Sequence, residues 1–156
     1  MKNKTLLTLL EQLVMLLVFS LASALCVRAF ALAEQTSQWN AERDDAVFSA
    51  QNAAEVLKAA GQHGGTMEAA LAEAAEQLDG EVCQGFLYIY YDKAWNIVQK
   101  EASSYRLCAQ GVPSEVQGLL TAEIRVDRLK GIRSGETGGK PLFKLTVAWQ
   151  EVESHG

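Results

Sequence analysis

Glycine and proline are missing from the first sixty residues: the first glycine is Gly61 and the first of only two prolines is Pro113. These are the strongest helix breakers, so their absence predicts helix up to about Ala60. Cysteine (three) and histidine (two) are scarce, and neither forms a Cys-x-x-Cys motif or a Cys/His cluster. That excludes a zinc ribbon or a dithiol redox site. There is no basic surplus either, with 14 Lys and Arg against 19 Asp and Glu and a net charge of −5. Phosphate neutralisation needs such a surplus, so no nucleic-acid contact is expected. Gly135-Glu136-Thr137-Gly138-Gly139-Lys140 looks like a phosphate-binding loop but lacks a glycine at Ser134, and Pro141 stands where Ser or Thr would bind magnesium. It reads as a hairpin loop. No serine has a plausible His and Asp pairing, because His63 sits in a glycine-rich turn and His155 in the tail. No pair of carboxylates stands apart. The chain reads as a non-enzyme without cofactor or metal.

What is present is unevenly spread. The 156 residues suit one domain, and the mean hydropathy is close to zero. That mean combines two unlike halves: residues 1–33 carry three basic residues and one acid, residues 34–156 eleven and eighteen. Leu6 to Val27 is an almost continuous apolar run, interrupted mainly by Glu11 and Gln12. A membrane-spanning helix needs roughly 20 such residues. Lys2 and Lys4 precede the run and acidic residues follow Arg28, which predicts a cytoplasmic N-terminus and a head outside. Ala31-Leu32-Ala33 before Glu34 offers a signal-peptidase pattern, but the apolar run exceeds the usual ~7–15 residue core. Bulky Leu25 argues against a lipoprotein anchor at Cys26. A retained anchor in membrane lipid fits best.

Beyond the anchor, Leu32, Trp39, Ala46, Ala50, Ala53, Leu57 and Ala60 recur at helical spacing, with Glu34, Glu42, Arg43, Asp44, Glu55 and Lys58 mainly off that stripe. One helix from Leu6 to Ala60 would extend ~80 Å, its first half in lipid and its second offering one apolar face. A break near Arg28, giving two helices, is the alternative.

Leu7 to Val14, LTLLEQLV, resembles the N-terminal signature of type IV pilins and of the pseudopilins of type II secretion and DNA-uptake machines. Lys2 and Lys4 match the short basic leader, Thr8 the small polar position, Leu9 and Leu10 the apolar pair, and Glu11 the glutamate. Leu7 stands where the family has phenylalanine, and Leu6 where it has the glycine that precedes the prepilin-peptidase cut. The resemblance implies processing between Leu6 and Leu7 by a prepilin peptidase, and assembly with other pilin-like subunits through the N-terminal helix. Leu7, Thr8 and Glu11 would set register, with Glu11 meeting the N-terminal amine of a neighbour. A carboxylate in the membrane costs roughly 2.5–3.5 kcal/mol at a helix centre and so needs a partner. Alternatively Glu11 and Gln12 snorkel to the interface and Leu13 to Ala33 span.

In the head, Thr66 is a good N-cap for a short helix ending at Asp79-Gly80, with Met67, Leu71, Ala74 and Leu78 on its apolar face. Strands are expected at Phe86–Tyr91, Ile97–Val98 (after a turn at 92–96), Tyr105–Ala109, Thr121–Leu129 and Leu142–Val152. In the fourth, Glu123, Arg125 and Asp127 face out; in the fifth, Phe143, Leu145, Val147 and Trp149 share one face. The result is an α+β, pilin-like architecture, a long helix packed on a small antiparallel meander with one solvated face. Its parts are 1–33 (leader and transmembrane half), 34–60 (outer half of the helix) and 61–156 (head). Cys83 and Cys108 are either disulfide-bonded, contributing about 3 kcal/mol, or two buried free thiols. The expected function is a membrane-anchored pilin-like structural subunit. A single-pass scaffold or sensor, or a secreted binding domain starting at Glu34, are the alternatives.

Overall fold

The computed structural model describes residues 2–63, 66–129 and 141–150, with side chains from Lys4 onward. Gly64, Gly65, the 135–140 loop, the end of the last expected strand and His155 lie outside the described residues. A long helix α1 (Lys2–Gln62) precedes a short one, α2 (Met67–Gln77). Five strands follow: β1 (Glu81–Cys83), β2 (Phe86–Tyr91), β3 (Tyr105–Val112), β4 (Leu119–Arg128) and β5 (Phe143–Gln150). A one-turn 3₁₀ helix at Lys100–Ala102 lies between β2 and β3. The chain is α+β, as expected.

Two compact units divide inside α1, Met1–Ala41 and Glu42–Gly156. In the first, helix runs through Arg28 without a break. In the second, all five strands pair antiparallel with their sequence neighbours in the order β1-β2-β3-β4-β5. Side chains alternate between the two faces of a strand, so one face can be dry and the other wet. Leu87 and Ile89, Leu107 and Ala109, and Ala122, Ile124 and Val126 form the dry face and are essentially fully buried. Onto it pack Ala46, Ala50, Ala53, Ala54, Leu57 and Ala60 of α1, with Ala70, Leu71, Ala74 and Ala75 of α2. The α1 stripe is alanine apart from Leu57, so the sheet supplies most of the bulk of this core. Leu32 and Trp39, expected on the same stripe, are 57% and 52% exposed and belong to the first unit.

The Thr66 side chain accepts a hydrogen bond from Ala69 N, which caps α2 as its sequence predicts. β1 was not legible. Gln84 (φ 53) and Gly85 (φ 81) both sit in the left-handed region and close a two-residue hairpin between Cys83 and Phe86, the geometry of a type I′ turn. The expected strand at Ile97–Val98 is reduced to one bridge, Tyr91 with Ile97, and one further bond from Val98 N to Tyr90 O. The reason is local. The Asp92 carboxylate accepts from Ala94 N and Asn96 N, Trp95 takes φ 62, and the loop closes on itself instead of extending a ladder.

Candidate functional site

Two surfaces stand out, one in each unit, and each follows from residue chemistry. In the first unit, large apolar side chains from Leu6 to Phe30 are 49–78% exposed. Leu13, Val14, Met15, Leu16, Leu17, Val18 and Phe19 are consecutive, so the exposure covers the whole circumference of the helix. A helix apolar all round belongs in a protein core or a membrane. By length and composition α1 is the one described helix able to cross a membrane. Its polar groups suit that medium. Thr8 donates to Lys4 O, Ser20 to Leu16 O and Ser23 to Phe19 O, so each hydroxyl is satisfied by its own helix. Leu6, Leu7, Thr8 and Glu11, the residues singled out for processing and register, all lie on this exposed helix. Glu11 has no ion-pair partner among the described residues.

The second surface is the wet face of the sheet. Cross-strand register places Glu81, Tyr88, Cys108, Arg125 and Lys144 in one row. Phe86, Gln110, Glu123 and Thr146 form the next, and Tyr90, Arg106 and Asp127 a third. Phe86, Tyr88 and Tyr90 stack along β2 with ring centroids 6.0 and 6.4 Å apart, and the Arg106 guanidinium lies 5.8 Å from the Tyr88 centroid. Asp127 was expected to face out. It does, yet it is 4% exposed, because Arg125 Nε donates to its two oxygens at 3.0 and 3.2 Å and Arg106 Nη2 donates to Oδ2 at 3.4 Å. Lys144 pairs with Glu123 at 2.8 Å. Between these groups lies a groove of about 200 Å³ lined by Phe86, Tyr88, Arg106, Cys108, Gln110, Glu123, Arg125 and Asp127. Burial pushes the Cys108 thiol above its ordinary value, with Arg106 opposing, and burial likewise raises the Tyr88 hydroxyl. The alternation of β4 and the aromatic run of β2 were visible in the sequence. Their meeting with Arg106 was not, because it depends on the β2–β3–β4 register.

Cys83 and Cys108 are free thiols. Both face the wet side, but on β1 and β3, with β2 between them. Two strand spacings separate their backbones by about 9.5 Å, beyond the ~7 Å that a disulfide can bridge. The disulfide permitted by the sequence is therefore not formed, and the alternative of two buried thiols holds only in that both are free, since Cys83 is exposed and Cys108 half-buried. His63 is exposed and its Nδ1 lies 3.1 Å from Glu73 Oε1, a surface contact. Among the described residues no group of His, Cys, Asp and Glu is arranged to hold a metal ion. No protein-family model, curated protein or solved structure matches this chain.

Proposed function

We propose that this chain is a membrane-anchored, non-enzymatic structural subunit of pilin or pseudopilin type, with a cytoplasmic N-terminus and its head outside. It assembles with similar subunits through its apolar N-terminal helix. The observation that carries the reading is the uninterrupted apolar circumference from Leu13 to Phe19 in α1, with the flanking Thr8, Ser20 and Ser23 hydroxyls each bonded to their own helix. Such a surface is stable in lipid or against other apolar helices, and unstable in water. The later part of the same helix supplies the alanine stripe of the head's core, so the anchor and the folded head share one element. The placement of Glu11 within the anchor supports a role in register, since an intramembrane carboxylate is stabilised by a cationic partner.

Intact mass and N-terminal sequencing of protein purified from native membranes test the reading. A new N-terminus at Leu7 supports a processed pilin-like subunit. A start at Glu34 refutes membrane anchoring and favours a secreted domain. For assembly, Glu11→Ala should remove cross-linkable oligomers from membranes while leaving membrane insertion intact. Unchanged oligomers would reject the register role and favour the single-pass scaffold.

A further inference from the structure

The two edges of the sheet are built differently. An edge strand presents a row of unpaired N–H and C=O groups, and natural proteins blunt such edges by shortness, charge, proline or a bulge. β1, at one edge, is blunted by its length of three residues. β5, at the other, has none of these devices. It runs for eight residues without proline, and its pairing with β4 is continuous from Phe143 to Gln150 with no bulge. Its one charged residue, Lys144, pairs with Glu123 of β4 at 2.8 Å, so the charge is neutralised from within the sheet. Among the described residues no strand lies beyond β5. In an antiparallel pair half of a strand's main-chain groups point away from its partner, so that half of β5 faces outward.

The side chains of β5 add an apolar ledge to this edge. On the dry face Ala122, Ile124 and Val126 of β4 are fully buried, whereas Phe143, Leu145 and Val147 beside them are only half-buried. On the wet face Thr146, Ala148 and Gln150 are exposed and uncharged. A ligand that satisfies both the outward main chain and the ledge is an extended segment with an apolar side chain at every second position. An acid opposite Lys144 adds a cross-strand pair.

The direction of β5 bears on where that segment comes from. Trp149 lies against Gly61, and Arg128, at the end of β4 beside the start of β5, pairs with Glu42. β5 therefore runs along α1 in the same direction. Antiparallel pairing with β5 of a second copy reverses that copy's α1, which does not suit two chains anchored in one membrane. The β1 edge of a second copy offers only three residues. This exclusion rests on the membrane reading, whereas the edge itself lies within the Glu42–Gly156 unit.

We propose that β5 is a docking edge for an extended, alternately apolar segment of a separate partner protein, which joins the sheet as an added strand and covers Leu145 and Val147.

The test is hydrogen exchange and NMR titration of the full chain in dodecylphosphocholine micelles. The probe is a short synthetic peptide that alternates valine with threonine and carries one glutamate. One control has the same residues with the valines in a single block, and another is N-methylated at every amide, which removes its main-chain donors. In the free chain, amides along 143–150 should alternate between protected and fast-exchanging. The alternating peptide should saturably shift β5 resonances and slow the fast set at least about tenfold. Both controls should bind at least about tenfold more weakly. Leu145→Thr keeps strand propensity and removes part of the ledge, and should weaken the peptide several-fold with the head still folded by near-UV circular dichroism. A fast set already protected in the free chain would overturn the proposal, and protection that grows with protein concentration would give the edge to a second copy instead. No saturable shift, or equal binding of either control, would overturn it as well. Processing at the N-terminus is indifferent to every one of these results, so the two readings fail separately.

Discussion

Gly61→Ala sets two known effects against each other in one residue. Gly61 is the penultimate residue of α1, where alanine is favoured over glycine by up to about 1 kcal/mol on helix propensity alone. Packing opposes that gain. A Cβ on Gly61 would stand 2.0 Å from Trp149 Nε1, 2.6 Å from Cε2 and 2.9 Å from Cδ1. All three are atoms of one rigid ring, which must retreat about 1.5 Å to reach ordinary contact near 3.5 Å. Trp149 is 4% exposed and its backbone is paired to Leu120 on β4, so the ring has little room. Overpacking of this kind costs about 1–3 kcal/mol, which exceeds the propensity gain. The expected net loss is about 1–2 kcal/mol, or roughly 3–6 °C in Tm for a chain of this size. Thermal unfolding of the full chain in detergent, followed by near-UV circular dichroism, reads it. Trp149→Val removes the ring atoms that the new Cβ would meet and also a buried Nε1 that has no partner. In that background Gly61→Ala should be neutral or stabilising, giving a double-mutant coupling of at least about 1 kcal/mol. A single Gly61→Ala variant as stable as the parent, or additive with Trp149→Val, would refute the close packing of helix end on β5.

Four further measurements probe the head. Asp127→Asn keeps shape but leaves two arginines facing a neutral amide, and should cost about 2–3 kcal/mol by urea midpoint, at the low end for a buried ion pair because both arginines are partly exposed. Iodoacetamide should modify exposed Cys83 quickly and half-buried Cys108 slowly in the folded protein. Because burial raises the Cys108 value in the folded state, its contribution to stability is complete below the unfolded thiol pKa and is lost as pH rises through the folded one. Urea midpoints should therefore fall at alkaline pH less in Cys108→Ala than in the parent. Asp92 has the opposite sign. Its backbone and side-chain hydrogen bonds from Asn96, and a further one from Ala94 N, hold the carboxyl below its ordinary value. That stabilisation is present above the unfolded carboxyl pKa and lost as pH falls through the folded one, so Asp92→Ala should flatten the acid limb of Tm against pH below about 4.

Much of the architecture was written locally. The 3.6-residue recurrence of Ala46, Ala50, Ala53, Leu57 and Ala60 names the buried side of the helix, and the period-two alternation of β4 and β5 names the dry face of the sheet. Thr66 announces α2 by its own side chain. Elements failed to show where the signal was short or borrowed from a neighbour. Glu81–Cys83 is too brief to display alternation, and it is a strand because the Gln84-Gly85 turn folds it back on β2. Ile97 and Val98 carry strand propensity, but the Asp92 carboxylate claims the backbone of their turn. The wet-face groove was legible only in fragments, since Arg106 and Arg125 lie on different strands and meet Asp127 through register.

Composition and periodicity, properties of the chain alone, determined the apolar helix, the α+β class and the face that β4 and β5 turn to the core. They act over one or two turns of helix or along one strand, where the backbone repeat fixes which side chains are neighbours. Only the tertiary structure decided that Cys83 and Cys108 stay apart, that Trp149 closes on Gly61, and that Asp127 is buried on the wet side between two arginines. Each of these depends on pairing between segments distant in sequence, and one residue of slip in a strand would send every one of its side chains to the other face.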